Sequence, residues 1–470
     1  MRGINAKALS IILPALLHAQ YEWDMVWQKT YGNPPYFGVD MRVVGRPDIY
    51  TDFCGTYGLC ADNEVAIDGS GYILTMASWG GGSANQISGI RVFRLNPADG
   101  SIVWYRDITQ TWDQVASDVK VDKSGNYVIL YRVDVGNYPH CWGGKLYRLS
   151  NIDGSTICTN WGYFWSGDES NCWHNYWDGP FGMDVDNSNN IVVVTGDIGG
   201  FYMWKFGPGC NPLWNILIHS PGYPYSAAGR DVAVDRNGDY VAVGFDTKTA
   251  SMVVSKVSPS GTILWKRFYP ISGHGGRIVN QADAEIAVDS SNNYVIVTYD
   301  GKVIKLDSNG NLLWSTVFSN VKLDAVVIPA SEPTYLIGGT LYETGDRDVF
   351  VAKIRAVDGT AVWTHTYDRI VSPSSGTGGD MGTGIGLDPT NQSIVITGYS
   401  GNANFAGYEW ISKLAGLTPV SIGESRHTAD GIYRFFSPGG RLLGEGREPP
   451  ESPGIYIIHD GGKTKIHIVR

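Results

Sequence analysis

Short runs of alternating apolar residues, each stopped by a Gly- or Asn-containing turn, recur along most of the chain. Residues 231–265 show the pattern in full. The run DVAVD leads into a turn at Asp235-Arg-Asn-Gly238, and the apolar run YVAVGF follows. A third run ends in Lys256-Val257, and a turn at Gly261 leads to Trp265. Alternation over four to eight residues predicts strands, and two runs joined by a tight Gly turn predict a hairpin. Each copy therefore predicts one four-stranded antiparallel sheet.

The first halves of the copies align without gaps. They are EVAIDGSGYIL from Glu64, DVKVDKSGNYVIL from Asp118, GMDVDNSNNIVVV from Gly182, DVAVDRNGDYVAV from Asp231, EIAVDSSNNYVIV from Glu285 and GIGLDPTNQSIVI from Gly384. Three residues after each turn aspartate stands Gly71, Gly125, Asn189, Gly238, Asn292 or Asn391. Gly and Asn enter the left-handed region most cheaply, so that position is the sharp point of the turn. The aspartates Asp68, Asp122, Asp186, Asp235, Asp289 and Asp388 are then expected to accept turn hydrogen bonds; one acid per turn is too few ligands for calcium. A seventh copy is degenerate: Asp324 to Ile328 keeps the strand pattern, but Pro329 and Pro333 replace the usual turn.

The second halves repeat a basic residue followed by an apolar one at Arg94, Arg148, Lys205, Lys256, Lys305, Lys353 and Lys413. The basic residue is expected to meet a repeated acid or a carbonyl. Six copies are expected to close on Trp104, Trp161, Trp214, Trp265, Trp314 and Trp363, as packing residues between neighbouring sheets. The last copy lacks such a Trp. Its missing outer strand is expected at the other end of the chain, where MVWQKTY from Met25 matches ILWKRFY from Ile263. Four-stranded repeats of about 50 residues, closed by an N-terminal strand, predict an all-β fold: a seven-bladed β-propeller. The Asp-x-x-Gly-x-x-Leu-Trp ending at Asp307 to Trp314 resembles the repeats of pyrroloquinoline-quinone-type propellers. Quinoprotein dehydrogenases of that family have eight blades and adjacent cysteines beside the cofactor. Seven copies and no adjacent cysteines do not support carrying the quinone over, so no cofactor is expected.

Composition narrows the partners. The 470 residues include 60 Gly, are 17% charged and carry a formal charge of −10. With no long basic run, nucleic acid and anionic membrane are not expected partners. At the start, Arg2 and Lys7 precede an apolar core from Ala8 to Leu17 and the small-residue site at Ala19. That reads as a signal peptide over 1–19; a retained anchor is the alternative, and no other membrane span is expected. Six cysteines, Cys54, Cys60, Cys141, Cys158, Cys172 and Cys210, are disulfide candidates for an oxidising compartment, with connectivity left open.

The repeat is expected to fill 20–417. Beyond it, FFSPGGRLLGEG and PGIYIIHDGGKTKIHIVR resemble the C-terminal sorting domain of proteins exported by the type IX secretion system. The resembling residues are Gly440-Arg441-Leu442, Pro453-Gly454-Ile455-Tyr456 and Gly462-Lys463. The resemblance implies that 418–470 is a β-rich export module, that export machinery is a partner, and that the protein is secreted or displayed on the outer cell surface. A small β-sandwich without an export role is the alternative.

Two features are candidates for ligand chemistry, both on the face that carries the long loops. The connection at 161–182 is rich in aromatic residues, among them Trp165, Trp173, Tyr176 and Trp177 beside His174. Such residues stack on sugars or grip a protein chain, or else they form a small core of their own around Cys158 and Cys172. Glu64, Asp118, Asp231, Glu285 and Asp324 stand at the head of the innermost strands. Pointing inward, they would ring the channel mouth and hold a cation or a basic ligand. Pointing sideways, they would accept backbone hydrogen bonds from the next sheet. No nucleophile elbow, metal-binding helix motif or P-loop is present, and the nine histidines show no metal spacing. His140, His174, His219 and His274 lie where they could meet on the loop face. The expected function is binding of an extracellular glycan or protein. An extracellular propeller enzyme, a glycan hydrolase or lyase or a quinone-type oxidoreductase, is the alternative.

Overall fold

The computed structural model describes residues 25–31, 65–80, 87–109, 114–134, 142–160, 179–197, 200–222, 225, 227–271, 284–330, 333–343, 346–367, 380–401, 407–414, 433–436, 442–446, 454–460 and 463–469. Among them every regular element is a β-strand. Contacts divide the chain into two units. One is 27–390 with 394–413; the other is 1–26, 391–393 and 414–470.

The larger unit is an all-β propeller built on the repeat. The strands Ala227–Val234, Tyr240–Asp246, Ser251–Val257 and Ile263–Pro270 pair in sequence order as one antiparallel meander. The same meander forms at 65–109, 114–159, 179–219, 284–317 and 321–367. A further sheet takes Asp380–Leu387, Ile394–Gly401 and Gly407–Leu414, and its outer strand is Met25–Tyr31. The N-terminal strand thus completes the sheet whose own copy lacks a fourth strand. These sheets are called first to seventh below, beginning at Val65. The third and fourth also share pairs, Gly196 with Ala228 and Asp197 with Ala227.

Burial is greatest in the middle strands of a sheet and least in its outermost strand. In the fourth sheet all of Tyr240–Asp246 is buried, while much of Ile263–Pro270 is exposed. A strand buried on both faces reads as a continuous apolar run, which is why YVAVGF does not alternate. The core is a set of layers between consecutive sheets. Val241, Val243, Met252 and Val254 of the fourth sheet pack on Ile286, Ile296, Ile304 and Leu306 of the fifth. Equivalent layers join first to second, second to third, third to fourth and fifth to sixth. The set closes where Val395 and Ile411 of the seventh sheet pack on Ile73, Phe93 and Leu95 of the first. Each such side chain contributes roughly 1.5–3 kcal/mol when fully buried.

The turns follow the expected chemistry, with one shift. Gly71, Gly125, Asn189, Gly238 and Asn292 all have φ between 61° and 85°. In the last repeat the left-handed residue is Gln392 (φ 59°) instead of Asn391. The cause is one extra residue: Leu387 pairs with Ile394, whereas Val234 pairs with Tyr240. In the smaller unit Tyr433–Phe436, Leu442–Gly446, Gly454–Asp460 and Lys463–Val469 form one antiparallel sheet, with Tyr433–Phe436 between Leu442–Gly446 and Gly454–Asp460.

Candidate functional site

The repeated polar residues meet at the seams between sheets. Each turn aspartate divides its work between its two oxygens. Oδ1 of Asp235 accepts the N–H groups of Asn237 (2.8 Å) and Asp239 (3.0 Å), which pins the turn. Oδ2 faces the seam, where it takes Lys256 Nζ of its own sheet at 2.7 Å and the Tyr294 hydroxyl of the next sheet at 3.0 Å. Asp68 does the same with Tyr127 (2.8 Å) and Arg94 (3.3 Å). Asp289 does it with Tyr335 (2.9 Å) and Lys305 (3.0 Å), and Asp186 with Tyr240 (2.9 Å) and Lys205 (3.6 Å). Burial works against the Asp235 carboxylate, but Lys256, the turn N–H groups and Tyr294 hold it below the ordinary range. The same balance lowers Asp186, Asp289 and Asp388. Burial raises Tyr240, Tyr294 and Tyr335, so these phenols stay neutral donors.

The tryptophans lie in the same seams. Trp104, Trp214, Trp265 and Trp314 sit beside Tyr127, Tyr240, Tyr294 and Tyr335 of the next sheet, with ring centroids 5.9–6.3 Å apart. Each indole N–H donates to a turn carbonyl there, at Asn151, Pro259, Ser308 and Ala356. The second sheet departs from expectation. Its fourth strand is Thr156–Thr159, and Cys158 pairs with Arg148 as Trp104 does with Arg94. Cys158, not Trp161, therefore holds the tryptophan position, and it is bonded to Cys210. Trp161, Cys54, Cys60, Cys141 and Cys172 lie outside the described residues.

Three of the strand-head acids, Asp118, Asp231 and Glu285, face the neighbouring sheet. Asp118 Oδ2 accepts the N–H of Met183 at 2.7 Å. Asp231 Oδ2 accepts that of Ile286 at 2.9 Å, and Glu285 Oε2 that of Val326 at 2.7 Å. Asp118 Oδ1 also lies 3.0 Å from Lys120 Nζ. Glu64 lies outside the described residues. Asp324 stands one position earlier than the alignment suggests. Tyr335 occupies the place of Tyr240, and the pairing skips from Leu323 to Ala325, so Asp324 is the bulge residue where the fourth sheet has Arg230. Its partner is Lys322, 2.6 Å away.

Sequence reasoning passes over two acids here. Asp184 Oδ2 accepts the N–H of Val234 at 2.7 Å, and burial raises the pKa of this carboxyl. It acts for the third sheet, where the head position is Gly182; a Cβ there would lie 2.5 Å from Asp231 Oδ1. Its signal is an acid where other copies have Ala66, Ala233 or Ala287. Asp246 is the other. Its Oδ2 lies 2.8 Å from Nε2 of His219 across the boundary between the third and fourth sheets, with Phe268 edge-on to the imidazole. His140, His174 and His274 lie outside the described residues, as do Trp165, Trp173, Tyr176 and Trp177.

Chemically, these groups are arranged to join sheets. Among the described residues no group of three or more His, Cys, Asp or Glu side chains is placed to hold a metal ion. No helix among them is long and apolar enough to cross a membrane.

Comparison with known proteins agrees with the repeat. No curated protein matches the chain. The fold resembles that of BamB from Moraxella catarrhalis, at 14% identity over 76% of this chain and 97% of that one, with a TM-score of 0.42. It also resembles the Dos1 propeller, at 9% identity over 75% and 77% of the two chains with a TM-score of 0.47. A protein of unknown function from Bacteroides caccae matches at 13% identity over 62% and 93%, with a TM-score of 0.38. Residues 250–381, from the third strand of the fourth sheet to the start of the seventh, match the family described as outer membrane protein assembly factor BamB, and over that stretch the chain is similar to the repeats of that family.

Proposed function

We propose that this protein is an exported, seven-bladed propeller that serves as a binding scaffold and holds an extracellular protein or glycan on its long-loop face. In this reading residues 1–19 are a signal peptide, 20–417 the ring and 418–470 a sorting module for a type IX-like route, which delivers the protein outside the cell or to its outer surface. The observation that carries the reading is the fate of the repeated polar residues. Asp, Lys, Arg and Tyr of the sheets are engaged with one another at the seams. A rigid ring of that kind leaves recognition to the irregular loops it displays. The likeness of 250–381 to a family of assembly factors supports contact with proteins as the working mode.

Within the loops, Trp165, Trp173, His174, Tyr176 and Trp177 are the proposed grip. Large, stiff aromatic side chains bury much area at small entropic cost, and they stack on sugar rings as readily as on peptide. The test compares the full chain with a variant lacking 161–178, on a glycan array and against outer-surface proteins in crosslinking. Loss of binding with unchanged thermal unfolding is the expected result. Equal binding by both chains would remove this loop from the site. Absence of any glycan or protein ligand for the intact chain would sink the scaffold reading itself.

A further inference from the structure

The seam between the second and third sheets is built differently from its neighbours, and the differences fall on three positions at once. At four other seams a Trp of one sheet covers a left-handed Gly in the next sheet's outer turn. The pairs are Trp104 on Gly154, Trp214 on Gly261, Trp265 on Gly310 and Trp314 on Gly359. A Tyr in the next sheet stands beside that Trp and donates to the turn aspartate. At the second–third seam Cys158 replaces the Trp, Cys210 replaces the Gly, and Ile191 replaces the Tyr. The rest of the seam is retained. Arg148 donates to the Pro208 carbonyl at 2.7 Å, as Lys205 does to Pro259 and Lys305 to Ala356. Arg148 also lies 3.3 Å from Asp122.

Cys210 keeps the backbone of the glycine it replaces, with φ 59°, and is fully buried. A side chain with a Cβ is disfavoured in that region and persists where the surroundings hold it. Here the holding contact is the covalent bond to Cys158. Ile191 has no hydroxyl to give Asp122, so among the described residues this seam shows neither the indole contact nor the phenol hydrogen bond.

We propose that the Cys158–Cys210 disulfide is a covalent substitute for the Trp-on-Gly contact, and that it makes completion of this one seam conditional on oxidation. The two thiols lose two protons and two electrons to a disulfide-bearing oxidant, which leaves as a dithiol, and the S–S bond forms. In a reducing compartment the second–third seam keeps Arg148, its apolar layer and the bonds of Asp118 to Met183 and of Asn189 to Lys123 and Ser124, but has nothing in place of the Trp-on-Gly contact. After export into an oxidising one it reaches the strength of the others.

The test uses the full chain in three forms: wild type, Cys158→Ala with Cys210→Gly, and Cys158→Trp with Cys210→Gly and Ile191→Tyr. Reductant is expected to lower the thermal midpoint of the wild type by several degrees and to raise amide exchange at Thr156–Thr159. The Ala/Gly variant is expected to lose, without reductant, the part of the midpoint that this bond supplies, and the Trp/Gly/Tyr variant to regain most of that loss. Two results would overturn the proposal. One is an unchanged wild-type midpoint when thiol labelling shows the bond open. The other is a Trp/Gly/Tyr variant no more stable than the Ala/Gly variant, failure to fold included.

Discussion

A single aspartate can serve two structures at once in this fold, and Asp235 shows how. One oxygen closes its own hairpin while the other receives Lys256 and Tyr294 at the seam. Asp235 sits below the ordinary carboxylate range, so its share of stability is present above the ordinary value of about 4. That share is lost as pH falls through the lower folded value. Asp186, Asp289 and Asp388 act in the same direction. Asp184 acts in the opposite one: burial raises it, so its effect is most favourable below the ordinary value and fades as pH rises through the folded one. Lys256→Met leaves a buried carboxylate without its cation and is expected to cost about 3 kcal/mol at neutral pH. The cost is expected to shrink as pH falls through the lower folded value, because a protonated Asp235 no longer needs the ammonium; urea unfolding along a descending pH series measures this. The turn aspartates and their basic partners are legible in the sequence because they recur at constant spacing. The place of Asp324 is not. A longer turn before Tyr335 shifts the strand by one residue, and an alignment of strand starts cannot register that.

At the scale of the hairpin and sheet, a glycine is required for one of two separate reasons. Gly238 (φ 83°) has open space where a side chain would begin, with no atom within 4 Å, so only its backbone matters. At Gly359 (φ 72°) a Cβ would lie 2.5 Å from the Trp314 ring. Gly238→Ala is expected to cost about 1 kcal/mol, the left-handed penalty alone. Gly359→Ala is expected to cost more, since Trp314 must move as well, and to change Trp fluorescence where Gly238→Ala does not. Equal losses with equal spectra would contradict the covering role of Trp314. The hairpin at 388–394 marks the limit of pattern reading. Asn391 looks like the turn residue by spacing, yet the added residue puts Gln392 in the left-handed position. Cys158 is hidden by the same limit: with no Trp at its position, the next Trp in the chain draws the assignment.

Across the larger unit, closure depends on a strand from the start of the chain. Met25–Tyr31 is the outer strand on Gly407–Leu414. Removing 1–31 leaves that edge open, and unpaired edges recruit other chains. The truncated chain is expected to unfold at a lower temperature and to associate on size exclusion, whereas a monomer of unchanged midpoint would argue against this closure. The sequence by itself determined the repeat, its strands, the turn chemistry and the closing strand, because each follows from local period and from side chains at fixed offsets. Only the tertiary structure decided how the strand-head acids are used, that Asp184 serves where Gly182 cannot, and that Cys158 reaches Cys210. Those facts belong to pairs of residues far apart in the chain, and sheet-to-sheet register, which local pattern does not encode, sets their distance.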